Sequence, residues 1–248
     1  MPGIAERGSF FLQKLLHLIY PRACIHCNLP LAEGRSNLPF CPGCWGTLRL
    51  QTGPHCPICA TPFSSPSALL HSPDHHCGEC REHPPAFSRA ITPYAYEGVL
   101  ADAIQRFKYQ KQTSLADPLA RLWVETLTTA PFDRVTAIPL HPARLRTREF
   151  NQSLLLAQKI ARLIRVPLLI DGLSRSRDTL PQVGLSRKER EQNVRRAFYL
   201  SNPIPIREKR ILLVDDVYTT GATLREGAKT LLKGGAKEVI VAAIARMI

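Results

Sequence analysis

No stretch of this sequence approaches the roughly 18–20 apolar residues that a membrane-spanning helix requires. A spanning segment is therefore not expected. Acidic side chains are in short supply: 20 Asp and Glu stand against 33 Lys and Arg, a formal net charge of +13 over 248 residues. A surplus of that size suggests a polyanionic partner, whether nucleic acid, phosphates or an anionic membrane surface. Cysteine is absent after Cys80, and His141 is the one histidine after His83. No long internal repeat accompanies the cysteine spacing. Hydrophobic residues at 44% and charged residues at 21% exclude wholesale disorder, and the length is ample for a buried core.

The apolar residues near the start also lack the features of a targeting signal. Lys14 and His17 interrupt the run, and Tyr20-Pro21-Arg22 replaces the small residues of a cleavage site. Phe11, Leu15 and Leu18 fall at helical spacing, widened by Leu12, Leu16 and Ile19, which predicts a short helix packed on its own protein. The expected location is cytoplasmic.

What is present divides in two. Residues 1–85 carry six basic and five acidic side chains, whereas residues 86–248 carry 27 and 15. The expected boundary lies near Pro84-Pro85, with one domain over 1–85 and another over 86–248. The first holds four CxxC pairs: Cys24/Cys27, Cys41/Cys44, Cys56/Cys59 and Cys77/Cys80. Zn²⁺ takes four thiolates in a tetrahedron, and each CxxC knuckle supplies two of them from one side. A disulfide framework would need an oxidising compartment, and a redox CxxC is usually single and beside a βαβ unit. Two structural zinc ions are expected. Sequential pairing of the knuckles is the simplest arrangement, with a cross-braced one still open. His26, His55, His75 and His76 are surplus to eight thiolates. Each Zn–thiolate₄ site carries a net −2, so the basic character belongs to the rest of the chain.

Beyond residue 90, continuous Val/Ile/Leu segments alternate with amphipathic ones, which predicts an α/β domain around a parallel sheet. Strands are expected at 91–96, 135–140, 166–170, 211–214 and 239–245. Helices are expected at 100–109, 115–127, 153–164 and 223–233. The sharpest feature is the run from Ile211 to Leu224, in which an apolar strand ends in Asp215 and Asp216 and a Thr/Gly loop opens a helix. Adjacent carboxylates at a strand end suit the two vicinal hydroxyls of a ribose. Helix-start N–H groups with the hydroxyls of Thr219, Thr220 and Thr223 suit a phosphate, and Gly221 permits close backbone approach.

This run resembles the phosphoribosyl-diphosphate (PRPP) loop of type I phosphoribosyltransferases. The resemblance implies Asp215 and Asp216 on the ribose hydroxyls, with Mg²⁺, and Thr219, Thr220, Gly221, Ala222 and Thr223 around the 5′-phosphate. The segment Ala137-Ile-Pro139-Leu-His-Pro142 with Arg144, Arg146 and Arg148-Glu-Phe-Asn-Gln152 is similar to the pyrophosphate loop of ComF-type competence proteins. Arg175, Arg177, Thr179, Gln182, Leu185, Arg187, Arg190, Asn193 and Ala197-Phe198 match that family's flexible loop, and Phe107-Lys108-Tyr109 its early helix end. The implied architecture is a type I phosphoribosyltransferase-like parallel sheet flanked by helices behind a small N-terminal double zinc ribbon. Arg148, with a loop arginine such as Arg187 or Arg190, would stabilise departing diphosphate. One departure stands out: Glu149 occupies the glycine position of the usual RGFNQ, and repels diphosphate unless its side chain points away.

Residues 141–210 hold 16 Lys/Arg against six Asp/Glu. That exceeds what one diphosphate needs and suits a nucleic-acid backbone, although arginines on solvated helix faces are common and Arg187–Arg196 is interleaved with Glu189 and Glu191. Arg144, Arg146, Arg187 and Arg190 are the candidate nucleic-acid contacts. Phe150, Phe198 and Tyr199 are the few aromatics there, so binding should be backbone-led and sequence-tolerant. The resemblance implies handling of incoming single-stranded DNA in natural transformation or DNA use, PRPP or a nucleotide as ligand, and other DNA-uptake proteins as partners. The alternative is a genuine Mg-dependent phosphoribosyltransferase acting on a nucleobase.

Overall fold

A computed structural model describes residues 23–31, 39–65, 69, 72, 74–127, 131–179 and 186–248. The helix expected around Phe11–Ile19 lies outside the described residues. Two short helices sit at knuckles, α1 (Pro42–Trp45) and α2 (Gly78–Glu82). There follow β1 (Arg89–Ile91), β2 (Tyr94–Ala95), α3 (Gly98–Tyr109), α4 (Ala116–Leu127) and β3 (Arg134–Ala137). Next come α5 (Pro142–Arg148), α6 (Gln152–Ile164), β4 (Ser174–Arg175), α7 (Arg187–Val194) and β5 (Phe198–Tyr199). The chain closes with β6 (Arg210–Tyr218), α8 (Ala222–Lys233) and β7 (Glu238–Arg246).

The main sheet is parallel, in the order β1-β7-β6-β3, with β2 also on β7. In its two long central strands Ile211–Val214 and Val239–Ala245 read as unbroken apolar runs because both faces are covered. Leu212, Val214, Ile240, Ala242 and Ile244 face one core, shared with α3, α4 and α6. Ile211, Leu213, Val239, Val241 and Ala243 face the other, closed by α8. The period-2 alternation of strand side chains divides these residues between the cores.

Three expected strands fall short of their bounds, the one at 135–140 being β3, which ends at Ala137 before Pro139. Thr92-Pro93 splits the segment at 91–96 into β1 and β2, since proline cannot donate to a ladder. The segment at 166–170 contributes one isolated bridge, Val135 with Leu168, next to Pro167. The 175–199 region holds structure the hydrophobic pattern did not announce. There β4 and β5 form a small antiparallel pair. Helix α7 is polar and starts with a capping box: Ser186 Oγ accepts from the Glu189 N–H, and the Glu189 carboxylate accepts from the Ser186 N–H at 2.7 Å.

The cysteine modules pack directly on this body. Cys24, Phe40 and Cys41 join the core under α3. Leu50 bridges Tyr94 of β2, flanked by Gln51 N–H to Pro93 O (2.7 Å) and Ala95 N–H to Arg49 O (3.0 Å). The second module meets β1 through Ala90 N–H to Ile58 O at 2.6 Å.

Candidate functional site

The eight cysteines gather as two groups in sequential order. Cys24, Cys27, Cys41 and Cys44 form one, Cys56, Cys59, Cys77 and Cys80 the other, with the ligand atoms of each within 4.8 Å of one another. Cys27 and Cys41 Sγ are 3.6 Å apart, and Cys59 and Cys77 Sγ 3.5 Å. A tetrahedron with Zn–S bonds of about 2.3 Å has edges of about 3.8 Å, so a zinc ion fits. Electrostatics points the same way. Burial and the neighbouring Cys59 push the Cys80 thiol up, and burial with Cys27 does the same to Cys44. Four thiolates cannot crowd together without a cation, and a divalent ion removes that conflict.

The second site is a cavity of about 1000 Å³ at the C-terminal end of β6. Asp215 and Asp216 enter it from the strand, and Gly221, Ala222 and Thr223 from the start of α8. Arg144 and Arg148 come from α5, Lys108 and Tyr109 from the end of α3, Ser153 and Gln152 from α6. Gly221 has φ 76°, the left-handed region, and a Cβ there would lie 2.5 Å from Tyr218 Cζ, so only glycine fits.

Asp215 is half-buried; its Oδ1 accepts from Ser153 Oγ at 2.8 Å and from the Asp216 N–H at 2.9 Å. Burial, reinforced by the Asp216 charge, raises its pKa to about 7. Asp216 is buried, with Oδ1 2.8 Å from Lys108 Nζ. Burial alone would lower the Lys108 pKa, and Asp216 more than reverses this, so the ammonium persists. Asp216 Oδ2, Gln152 Oε1 and Arg175 Nε are buried here without partners among the described residues. Unpaired polar atoms around one cavity are what a polar ligand completes.

The sequence-predicted residues are distributed as follows. Asp215, Asp216, Thr219, Gly221, Ala222, Thr223 and Arg148 all line the cavity. Thr220 does not; its Oγ1 accepts from the Ala222 N–H at 3.4 Å and so shapes the turn. Arg144 and Arg190 line the cavity, each half-buried, and Arg144 is bound to the Thr179 carbonyl and to Asp178 at 3.5 Å. Arg146 is exposed, and the Arg187 side chain lies outside the described residues. Glu149 is absent from the lining: its exposed carboxylate pairs with Lys111, and its backbone takes φ 71°, which explains why glycine suits that position.

Sequence reasoning missed the roles of Lys108, Ser153, Arg175 and Tyr218. Lys108 and Arg175 stood within the family resemblance with no role attached, and Lys108 also follows the buried stripe Leu100, Ile104 and Phe107 of α3. Which carboxylate it would meet depends on packing between distant segments. Among the described residues, no helix is long and apolar enough to cross a membrane.

The family model described as Double zinc ribbon domain matches residues 15–81, and Phosphoribosyl transferase domain matches residues 151–247. Competence protein F of Haemophilus influenzae is 34% identical over 233 residues, 90% of this chain and 96% of the relative. The chain belongs to the ComF family. DNA utilization protein YhgH of Escherichia coli is 32% identical across 92% of this ComF chain and 99% of its own. Competence protein ComFC of Bacillus subtilis is 26% identical across 79% and 78%. The two Cys₄ groups are the zinc sites of the ComF double ribbon, and the parallel sheet with its flanking helices is the phosphoribosyltransferase domain.

Proposed function

We propose that this ComF protein handles incoming single-stranded DNA in the cytoplasm, in natural transformation or DNA use, and that its cavity binds PRPP with Mg²⁺ or a nucleotide. The observation that carries the cavity assignment is that Asp215, Asp216 and the Gly221–Thr223 turn line one cavity together with Lys108, Arg144, Arg148, Arg175 and Arg190. In this reading the carboxylates take the ribose hydroxyls. The N–H groups at the start of α8, with Thr219 and Thr223, take the 5′-phosphate. Arg148 and Arg190 meet the remaining phosphates, and Mg²⁺ supplies further charge neutralisation when bound. The names of the relatives, competence and DNA utilization, support the DNA role.

The strand would pass the cavity rim. Arg146 is exposed on α5, and Tyr109 stands 64% exposed with the Arg148 guanidinium 5.4 Å from its ring centroid, a stacking surface that adds to the exposed Tyr199. Arg187 adds a further cation in this assignment, and the ribbon unit over 1–85 would offer its outer face to other DNA-uptake proteins.

A second reading has one observation in its favour. The Glu149 carboxylate turns to Lys111 and is not among the residues lining the cavity, so it does not stand against a diphosphate there. Genuine transfer, in which a base nitrogen attacks C1′ as diphosphate leaves, therefore stays open.

Anisotropy of a labelled single-stranded oligonucleotide at about 150 mM salt, with and without Mg–PRPP, tests the proposal. Saturable binding that shifts with PRPP, and a loss of that shift in Asp215→Asn/Asp216→Asn, are the expected results. No binding of DNA removes the DNA role and directs attention to turnover of nucleobases.

A further inference from the structure

The phosphate turn is braced from behind by the second cysteine module. Strands β6 and β7 are in parallel register with Tyr218 beside Arg246. The Arg246 guanidinium lies 4.4 Å from the Tyr218 ring centroid, and both side chains are buried. Its Nη1 donates to the Cys59 carbonyl at 2.6 Å and its Nη2 to Thr61 Oγ1 at 2.6 Å. Thr61 Oγ1 is in turn 3.0 Å from Cys59 Sγ. The hydroxyl end of the Tyr218 ring fills the space under Gly221, the residue that opens α8.

A second strap runs beside the first. Arg225, in the first turn of α8, donates to the His83 carbonyl at 2.7 Å and pairs with Glu79 at 3.4 Å. Glu79 sits between Cys77 and Cys80. The first cysteine group instead reaches α3, where His26 Nδ1 meets Asp102 Oδ2 at 2.6 Å.

We propose that Arg246 and Tyr218 are positioning residues for the phosphate turn, and that zinc at Cys56, Cys59, Cys77 and Cys80 sets the cavity's affinity for a phosphorylated sugar through them. This role for Arg246 and Tyr218 rests on the reading of the cavity as a phosphate site. A guanidinium this buried is stable only while its acceptors are fixed. The Cys59 carbonyl and Thr61 are fixed by the metal-closed knuckle. If the knuckle opens, the guanidinium must turn toward water and leave the Tyr218 face. The ring then loses its backing, and the Thr219–Gly221 turn loses the floor that orients its N–H groups.

Titration calorimetry with Mg–PRPP on wild type, Arg246→Ala, Arg246→Lys and Thr61→Val, each with measured zinc content, tests the link. Hydrogen exchange of residues 218–224 is followed in the same samples. Arg246→Ala is expected to weaken PRPP at least tenfold while two zinc ions remain, with Arg246→Lys intermediate because an ammonium cannot serve both acceptors in a fork. Thr61→Val guards against a folding failure and should loosen exchange at 218–224 in a folded, zinc-loaded protein. Selective zinc loss from the second site should do the same. Unchanged exchange and unchanged affinity in zinc-loaded Arg246→Ala and Thr61→Val would overturn the proposal. If wild type itself fails to bind PRPP, the cavity assignment falls, and exchange at 218–224 still decides whether the second module positions the turn.

Discussion

Lys108 Nζ lies 2.8 Å from Asp216 Oδ1, joining the end of α3 to the carboxylate pair of β6 across 108 residues of sequence. The side chains are 17% and 6% exposed, so each neutralises a charge that has little water to stabilise it. Removing one partner of such a pair typically costs about 3–5 kcal/mol, whereas removing both costs far less. Lys108→Met should therefore lower stability by several kcal/mol in denaturant unfolding with zinc maintained. Lys108→Met/Asp216→Asn should recover most of the loss. A double variant as unstable as the single one would show that the pair does not interact as described.

Asp215 makes a prediction about pH. Its folded pKa is raised to about 7 from an ordinary 3.8, by burial first and then by Asp216. The folded state thus holds a proton that the unfolded state has released. The contribution to stability is complete below about pH 4 and falls as pH rises, disappearing above about pH 7. Melting followed from about pH 5.5 to 8 should show wild type losing stability relative to Asp215→Asn. Parallel curves would place the Asp215 pKa elsewhere.

At Gly221 both conformation and space exclude a side chain. A left-handed non-glycine residue costs about 1–2 kcal/mol, before any overlap with Tyr218 is counted. Gly221→Ala should lower stability by at least that much and abolish PRPP binding in calorimetry. Retained affinity would argue that the start of α8 does not hold the phosphate.

Glu149 gives the opposite expectation. Its left-handed backbone favours glycine, while the exposed pair with Lys111 is a surface interaction worth about 0–1 kcal/mol. Glu149→Gly should leave stability within about 1 kcal/mol of wild type. PRPP affinity should be unchanged. A tenfold rise in affinity would show that the carboxylate does reach the ligand.

The metal sites are checked by counting. Titrating the thiols with a mercurial while a dye reports released zinc should yield about two ions per chain. Cys→Ser at both Cys24 and Cys27 should leave about one. Loss of both ions from that variant would mean that the modules do not bind independently.

Much of the architecture was legible because it rests on local rules. The apolar runs around 211–214 and 239–245 announced a parallel sheet covered on both faces, and the CxxC spacing announced two zinc sites. The break at Thr92-Pro93 and the polar helix α7 were less visible. The first turns on one missing donor, and the second is secured by the Ser186–Glu189 capping box with no apolar stripe to reveal it. The candidate site was half legible. Asp215, Asp216 and the Thr219–Thr223 turn are contiguous, so one motif carries them. Lys108, Ser153 and Arg175 come from three other elements, and no local pattern connects them.

The strand–turn–helix with its two carboxylates, the four knuckles and the excess of cations in the second half follow from the order of residues along the chain. These depend on neighbours in the chain, on side-chain periodicity and on the ligand preferences of zinc. Which cation meets which anion follows from packing in three dimensions. Packing turned Arg144 and Arg190 into the cavity and left Arg146 outside. It also turned Glu149 away toward Lys111, and set Arg246 between a zinc knuckle and the ring beneath Gly221. Charge and hydrogen-bond energies depend on separation in space and on burial, and both are settled when the sheet, helices and ribbons pack together.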